Sequence, residues 1–159
     1  MIIMFRKFTG EKIESVVDYI KAYMSEKRNI EIMVATDSQS RGNKTVFSTV
    51  IALYDCGEDG HGHGAHCIFK RWVTPRYTRD RKVERLLREV EESISVGKQL
   101  RENGIPVKFI DIDINPNKKY ASSDVYQAAY GWVTGEHFDC RYKTLGPLVT
   151  TMADWIVKK

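Results

Sequence analysis

The chain has 159 residues, 42% hydrophobic and 29% charged, with Lys+Arg 25 against Asp+Glu 21 and a formal net charge of +4. That length suits a single domain over 1–159, and the apolar content is too high for intrinsic disorder. The apolar run Met1–Phe5 is too short for a signal peptide or a membrane span, and the three cysteines cannot all pair. A soluble, cytoplasmic protein with no membrane contact and no secreted disulfide framework is therefore expected.

Ile13, Val16, Val17, Ile20 and Met24 recur at helical spacing behind Thr9, a good capping residue, which predicts a helix over 10–27. Ile30–Thr36 is short, apolar and β-branched, as a buried strand should be. Thr45–Tyr54 and Ala65–Val73 read as two further strands, joined through the flexible glycine-rich stretch Gly57–Gly64 as a hairpin. From Asp80 to Glu102 the positions Val83, Leu86, Leu87, Val90, Ile94, Gly97 and Leu100 trace one helical stripe, stopped by Asn103-Gly104. Pro106–Ile114 predicts a fourth strand. A helix capped by Ser122 or Ser123 then runs to Gly135, His137–Lys143 predicts a fifth strand, and Pro147 opens a last helix to Val157.

After the first helix the order is β-β-β-α-β-α-β-α, which implies an α/β fold with a mixed five-stranded sheet and helices packed on it. Right-handed crossovers place the fourth strand beside the first. Chemistry is expected where their carboxyl ends meet.

Those ends carry acids. The first strand leads into Thr36-Asp37-Ser38-Gln39 and the fourth contains Asp111 and Asp113, which share a face because they alternate by two. A carboxylate at the end of a buried strand must be paired, solvated or bound to a cation. Asp37 beside Asp113 suits a hard ion such as Mg²⁺ or Mn²⁺. On the long helix Glu89 and Glu91 border the apolar stripe and Glu92 faces solvent, while Asp154 stands among apolar residues of the last helix.

The cations are clustered as well. Between Lys70 and Arg88 eight basic residues face only Asp80 and Glu84, a surplus larger than that of the whole chain. Such a cluster suits a polyanion, because each neutralised phosphate releases condensed counterions. It also suits a solvated helix face with pairs such as Glu84–Arg88. Arg71, Arg76, Arg79, Arg81, Lys82 and Arg85 are the candidate contacts to nucleic acid, whether RNA, DNA or hybrid. Tyr77 is a candidate base-stacking residue, and Trp72 is read first as a packed strand residue.

The element order, the VATDSQ strand, the VTPR segment before the ERLLREVEES helix and the IDID strand together resemble the YkuK family of ribonuclease H-like proteins, from about residue 5 onward. The resemblance implies a ribonuclease H-like fold and, position by position, a four-acid site of Asp37, Glu89, Asp113 and Asp154, with Glu91 as the other choice on the helix. In such a site two divalent ions about 3.5–4 Å apart serve phosphodiester hydrolysis. Asp37 would bridge them, Glu89 and Asp113 would bind one each, and Asp154 would complete the set. The expected function is a metal-dependent nuclease, with a non-catalytic nucleic-acid-binding or regulatory module of the same fold as the alternative. Asp37-Ser38-Gln39 lacks the second acid of proofreading exonucleases, and neither GxxxxGK[ST] nor GxGxxG occurs, so an endonuclease is favoured.

One further cluster contains Cys56, His61, His63, His66 and Cys67. Its spacing matches no recurring zinc finger, and adjacent His66 and Cys67 would point to opposite faces of a strand, so no structural zinc is expected. Cys140, alone in its strand, reads as a small buried hydrophobe.

Overall fold

Strand propensity and alternation build a six-stranded mixed sheet in the computed structural model, which describes residues 3–27, 29–57, 64–114, 123–142 and 149–158. The elements are β1 (Arg6–Lys7), α1 (Val16–Glu26), β2 (Ile30–Arg41), β3 (Lys44–Asp55), β4 (Ala65–Pro75), α2 (Lys82–Glu102, after a 3-10 turn Arg79–Arg81), β5 (Phe109–Ile112), α3 (Ser123–Gly135), β6 (Asp139–Tyr142) and α4 (Val149–Val157). Spatial order is β1-β4-β3-β2-β5-β6. The expected crossover holds: β5 lies parallel to β2, pairing Met33–Ala35 with Phe109–Asp111.

Alternation along β2 and β3 divides the core between the two faces. Ile32, Val34, Ile51, Leu53 and Ile68 pack with Ile20, Val90, Ile94, Leu100, Val125, Ala129 and Val133, so α1, α2 and α3 cover one face. Met33, Ala35, Val50 and Ala52 pack with Ala153 and Ile156 of α4 on the other. Cys140 is half-buried against the larger core, and burial, then nearby Asp111, pushes its thiol up to about 12.

Several sequence expectations change. The sheet has a sixth strand, because Arg6 and Lys7 pair with Phe69 and Ile68 at the edge of β4. The first helix starts at Val16 rather than near residue 10. Ser15 Oγ caps it by accepting from the Asp18 N–H (3.2 Å), while the chain around Thr9 turns back so that Arg6 bridges Lys12. The first strand continues past Thr36 to Arg41, carried by antiparallel pairing with β3 and a tight turn at Gly42 (φ 57°). The fourth strand is shorter than expected, leaving Asp113 just beyond it. Gly104 (φ 80°) ends α2 as expected. The central residues of the Gly57–Gly64 stretch, Ser122 and Pro147 lie outside the described residues.

Candidate active site

Asp37 lies within β2, not in a turn. Ser48 of β3 is its partner on one side, and β5 pairing stops two residues earlier on the other. Its side chain points to the α4 face and is 6% exposed. Burial, first, and the charge of Asp113, second, push its carboxyl up to about 7. A hydrogen bond and like charge from Asp154 add to that, against a backbone hydrogen bond at Ser38.

Glu89 approaches from α2 and is 5% exposed. Ser38 Oγ donates to its Oε2 at 2.9 Å. Burial, then Asp37, hold its carboxyl well above the usual range; the Ser38 hydrogen bond and the Arg85 charge oppose this, and Asp113 adds to it. Arg85 Nη1 donates to the Ser38 carbonyl (3.3 Å) and lies 3.4 Å from its hydroxyl. One helical turn further on, Ser93 Oγ bonds Thr36 Oγ1 (2.8 Å), which also bonds Thr49 Oγ1 (2.8 Å). This buried hydroxyl network seats α2 on the sheet beside Glu89. The sequence reading missed Ser38 and Ser93; the i,i+4 spacing of Glu89 and Ser93 beside the apolar stripe was the available signal.

The other acids separate clearly. Glu91 is exposed and pairs with Arg88 at 3.4 Å. Glu92, expected in solvent, is instead half-buried in ion pairs with Lys70 of β4 and Arg88 (3.6 Å), because α2 is rotated to set that border against the sheet. Asp154 on α4 also pairs with Lys158 (2.7 Å). Asp111 is buried, with Arg141 Nε 3.7 Å from its Oδ1.

Asp37, Glu89, Asp113 and Asp154 thus form one electrostatic neighbourhood. Among the described residues no three His, Cys, Asp or Glu side chains already surround a single ion position. The donor set itself fits a hard divalent cation: it is all oxygen, drawn from several elements, and it adds like charge to the burial that pushes the Asp37 carboxyl up to about 7. A bound cation would relieve that repulsion.

The basic window divides. Arg76, Arg79, Lys82 and Arg85 line an open cleft of about 350 Å³ with Ser40 and Tyr77. Arg81 lies over the Tyr77 ring (4.7 Å) and pairs with Glu84 (2.8 Å), so Glu84 reaches back to Arg81. Arg71 is exposed on the α4 face of β4, outside that cleft. Trp72 is a packed residue, stacked on Phe47 (5.4 Å, 10°). Of the Cys/His cluster, His66 bonds the Tyr19 hydroxyl through Nε2 (2.6 Å), Cys56 and Cys67 are half-buried free thiols, and His61 and His63 lie outside the described residues. No helix among the described residues is long and apolar enough to cross a membrane.

Neither the curated proteins nor the solved structures give a significant match to the chain. A family model described as Ribonuclease H-like matches residues 13–158, from just before α1 through α4. With the antiparallel β2–β3–β4 meander, the parallel β5 and acids on β2, α2, α4 and just past β5, that match leads to one conclusion: the chain belongs to the ribonuclease H-like YkuK family.

Proposed function

We propose that the chain is a divalent-metal-dependent nuclease that hydrolyses nucleic-acid phosphodiesters at Asp37, Glu89, Asp113 and Asp154. The observation that carries this reading is the crowding of Asp37, a buried strand carboxylate raised by burial and by Asp113 and Asp154 together. Such crowding is costly in a structural role and useful for cation capture. These carboxylates would hold Mg²⁺ or Mn²⁺, which when bound would activate a water and stabilise the leaving oxygen.

The chain's own residues do the rest. Ser38 and Arg85 fix the Glu89 carboxylate, and the Thr36–Ser93 bond fixes the helix that carries it. Arg76, Arg79 and Lys82 receive phosphates of the bound strand, within reach of Arg85, which joins their cleft to the acids. Burial raises the Asp37 carboxyl, and Asp113 and then Asp154 beside it raise it further.

The test is cleavage of RNA–DNA hybrids, single strands and junctions with Mn²⁺, comparing the parent chain with Asp37→Asn. Cleavage lost in the variant is expected; cleavage unchanged overturns the site. The second reading, a non-catalytic binding module, draws on the basic cleft alone. It predicts salt-dependent binding, weakened by Lys82→Ala and Arg85→Ala, with no cleavage of any substrate under any metal.

A further inference from the structure

On the α4 face, away from the basic cleft, aromatic and basic residues meet at the outer edge of the sheet. Phe8 follows β1 and is 37% exposed; Trp155 on α4 is 48% exposed. Their rings lie 5.7 Å apart at 30°, and Phe8 also meets Phe69 of β4 edge-on at 5.6 Å. Arg6 pairs across from Phe69, so it shares that face. Arg71 and the exposed Val73 continue the face along β4 at two-residue intervals. The cations here are Arg6 and Arg71, and β1 and β4 contribute no acid to this stretch.

Register ties this patch to the acids. Arg71 pairs with Ser48, and Ser48 pairs with Asp37, so the three stand in one row across β4, β3 and β2. Arg71 therefore lies two strand spacings, roughly 10 Å, from Asp37. Ser48 Oγ donates to the Ala153 carbonyl (2.8 Å), which seats α4 over the middle of the row. The same helix then turns Asp154 toward Asp37 and Trp155 toward Phe8.

We infer that Phe8, Phe69 and Trp155, flanked by Arg6 and Arg71, form a stacking platform for unpaired bases of a single-stranded nucleic acid. The inference rests on the nucleic-acid reading above and adds strandedness to it. Exposed rings stack on any base, because every base has a π-face, and flanking arginines neutralise the adjacent phosphates. A paired base inside a duplex offers no such face. The charge pattern favours this occupant over an acid-balanced protein surface, and α4 makes the platform continuous with the acid cluster.

The experiment is fluorescence anisotropy of the full chain in EDTA with a labelled oligothymidine and with a duplex of equal length. Phe8→Ala/Trp155→Ala should weaken single-strand binding about tenfold and change duplex binding less than twofold, while Trp155→Phe, which keeps a ring, restores most of the loss. Photocrosslinking the unsubstituted chain to a 5-iodouracil oligonucleotide gives a readout independent of the variants' folding; the modified peptide should contain Phe8 or Trp155. Unchanged single-strand binding in the double variant, equal loss on duplex, or crosslinks confined to the basic cleft would overturn the platform. So would self-association that the double variant abolishes with oligonucleotide binding unchanged, which assigns the face to a second copy of this chain. If Lys82→Ala and Arg85→Ala weaken binding and the aromatic variants do not, the platform fails alone; if no oligonucleotide binds, the functional reading fails with it.

Discussion

Asp37 sets burial against charge. The folded chain holds its proton up to about pH 7, whereas the unfolded chain releases it near 3.8. Between those values the folded state binds more protons, so stability from this residue is greatest at low pH and falls as pH rises through the window. The full difference is on the order of 4 kcal/mol, and it arises from burial first and then from the neighbouring Asp113 and Asp154. Asp37→Asn removes the charge and keeps the shape. The variant should therefore be more stable than the parent at pH 8 and gain much less at pH 4.5, as read from urea midpoints. A gain that does not grow with pH contradicts the crowding. Mn²⁺ at pH 8 should raise the melting temperature of the parent and leave the variant nearly unmoved.

At the scale of elements, two contacts decide how helices sit. The helical pattern of α2 includes Gly97 at a stripe position, and the structure gives the reason. A Cβ there would stand 3.0 and 3.1 Å from the Phe138 ring, itself 3% exposed. Gly97→Ala gains about 1 kcal/mol of helix propensity and forces a clash costing about 1–3 kcal/mol. Net destabilisation in chemical denaturation is expected, together with lower protection of the β6 amides in hydrogen exchange. α1 docks differently, through His66, which bonds Tyr19 and stacks on Tyr23 (5.2 Å, 15°). Burial, then Lys7, lower its imidazole. The unfolded state thus takes up the proton first as pH falls, and stability from this contact is lost below about 6.5. Amides of Val16–Glu26 should exchange faster at pH 5 than rate chemistry alone allows, and His66→Phe should remove that dependence. These elements also mark what sequence pattern reveals. Long periodic segments such as α2, and the crossover of β5 to β2, were legible because local spacing and chirality determine them. β1 was not, since Arg6 and Lys7 have no strand signal and owe their pairing to Phe69 and Ile68, more than sixty residues away. Nor was the extension of β2, where polar Ser38–Arg41 reads as a loop until hydroxyl pairs such as Ser40–Thr45 (2.8 Å) appear across the hairpin.

Across the whole molecule the net charge of +4 hides a separation. Acids gather around Asp37, and cations gather in the cleft of Arg76, Arg79, Lys82 and Arg85. Asp37 and Asp113 could be paired from strand order alone. Glu89 could not be chosen over Glu91, because that choice depends on the rotation of α2, which the Ser93–Thr36 bond and the Gly97–Phe138 contact set together. Arg85 joins the two regions by touching Ser38, the residue that holds Glu89. This arrangement predicts a definite salt response. If the cleft cations neutralise phosphates, each one removed should shallow the slope of log Kobs against log salt by about 0.7 on single strands and 0.9 on duplex. Arg79→Ala and Lys82→Ala should do only that. Arg85→Ala should shallow the slope equally, and it should also lower metal-dependent cleavage at saturating oligonucleotide, because Ser38 and Glu89 lose their fixed cation. Slopes from binding at several salt concentrations, set beside single-turnover cleavage rates, separate the two effects. Equal behaviour of Lys82→Ala and Arg85→Ala in both measurements would show that the cleft binds strands without acting on the acids.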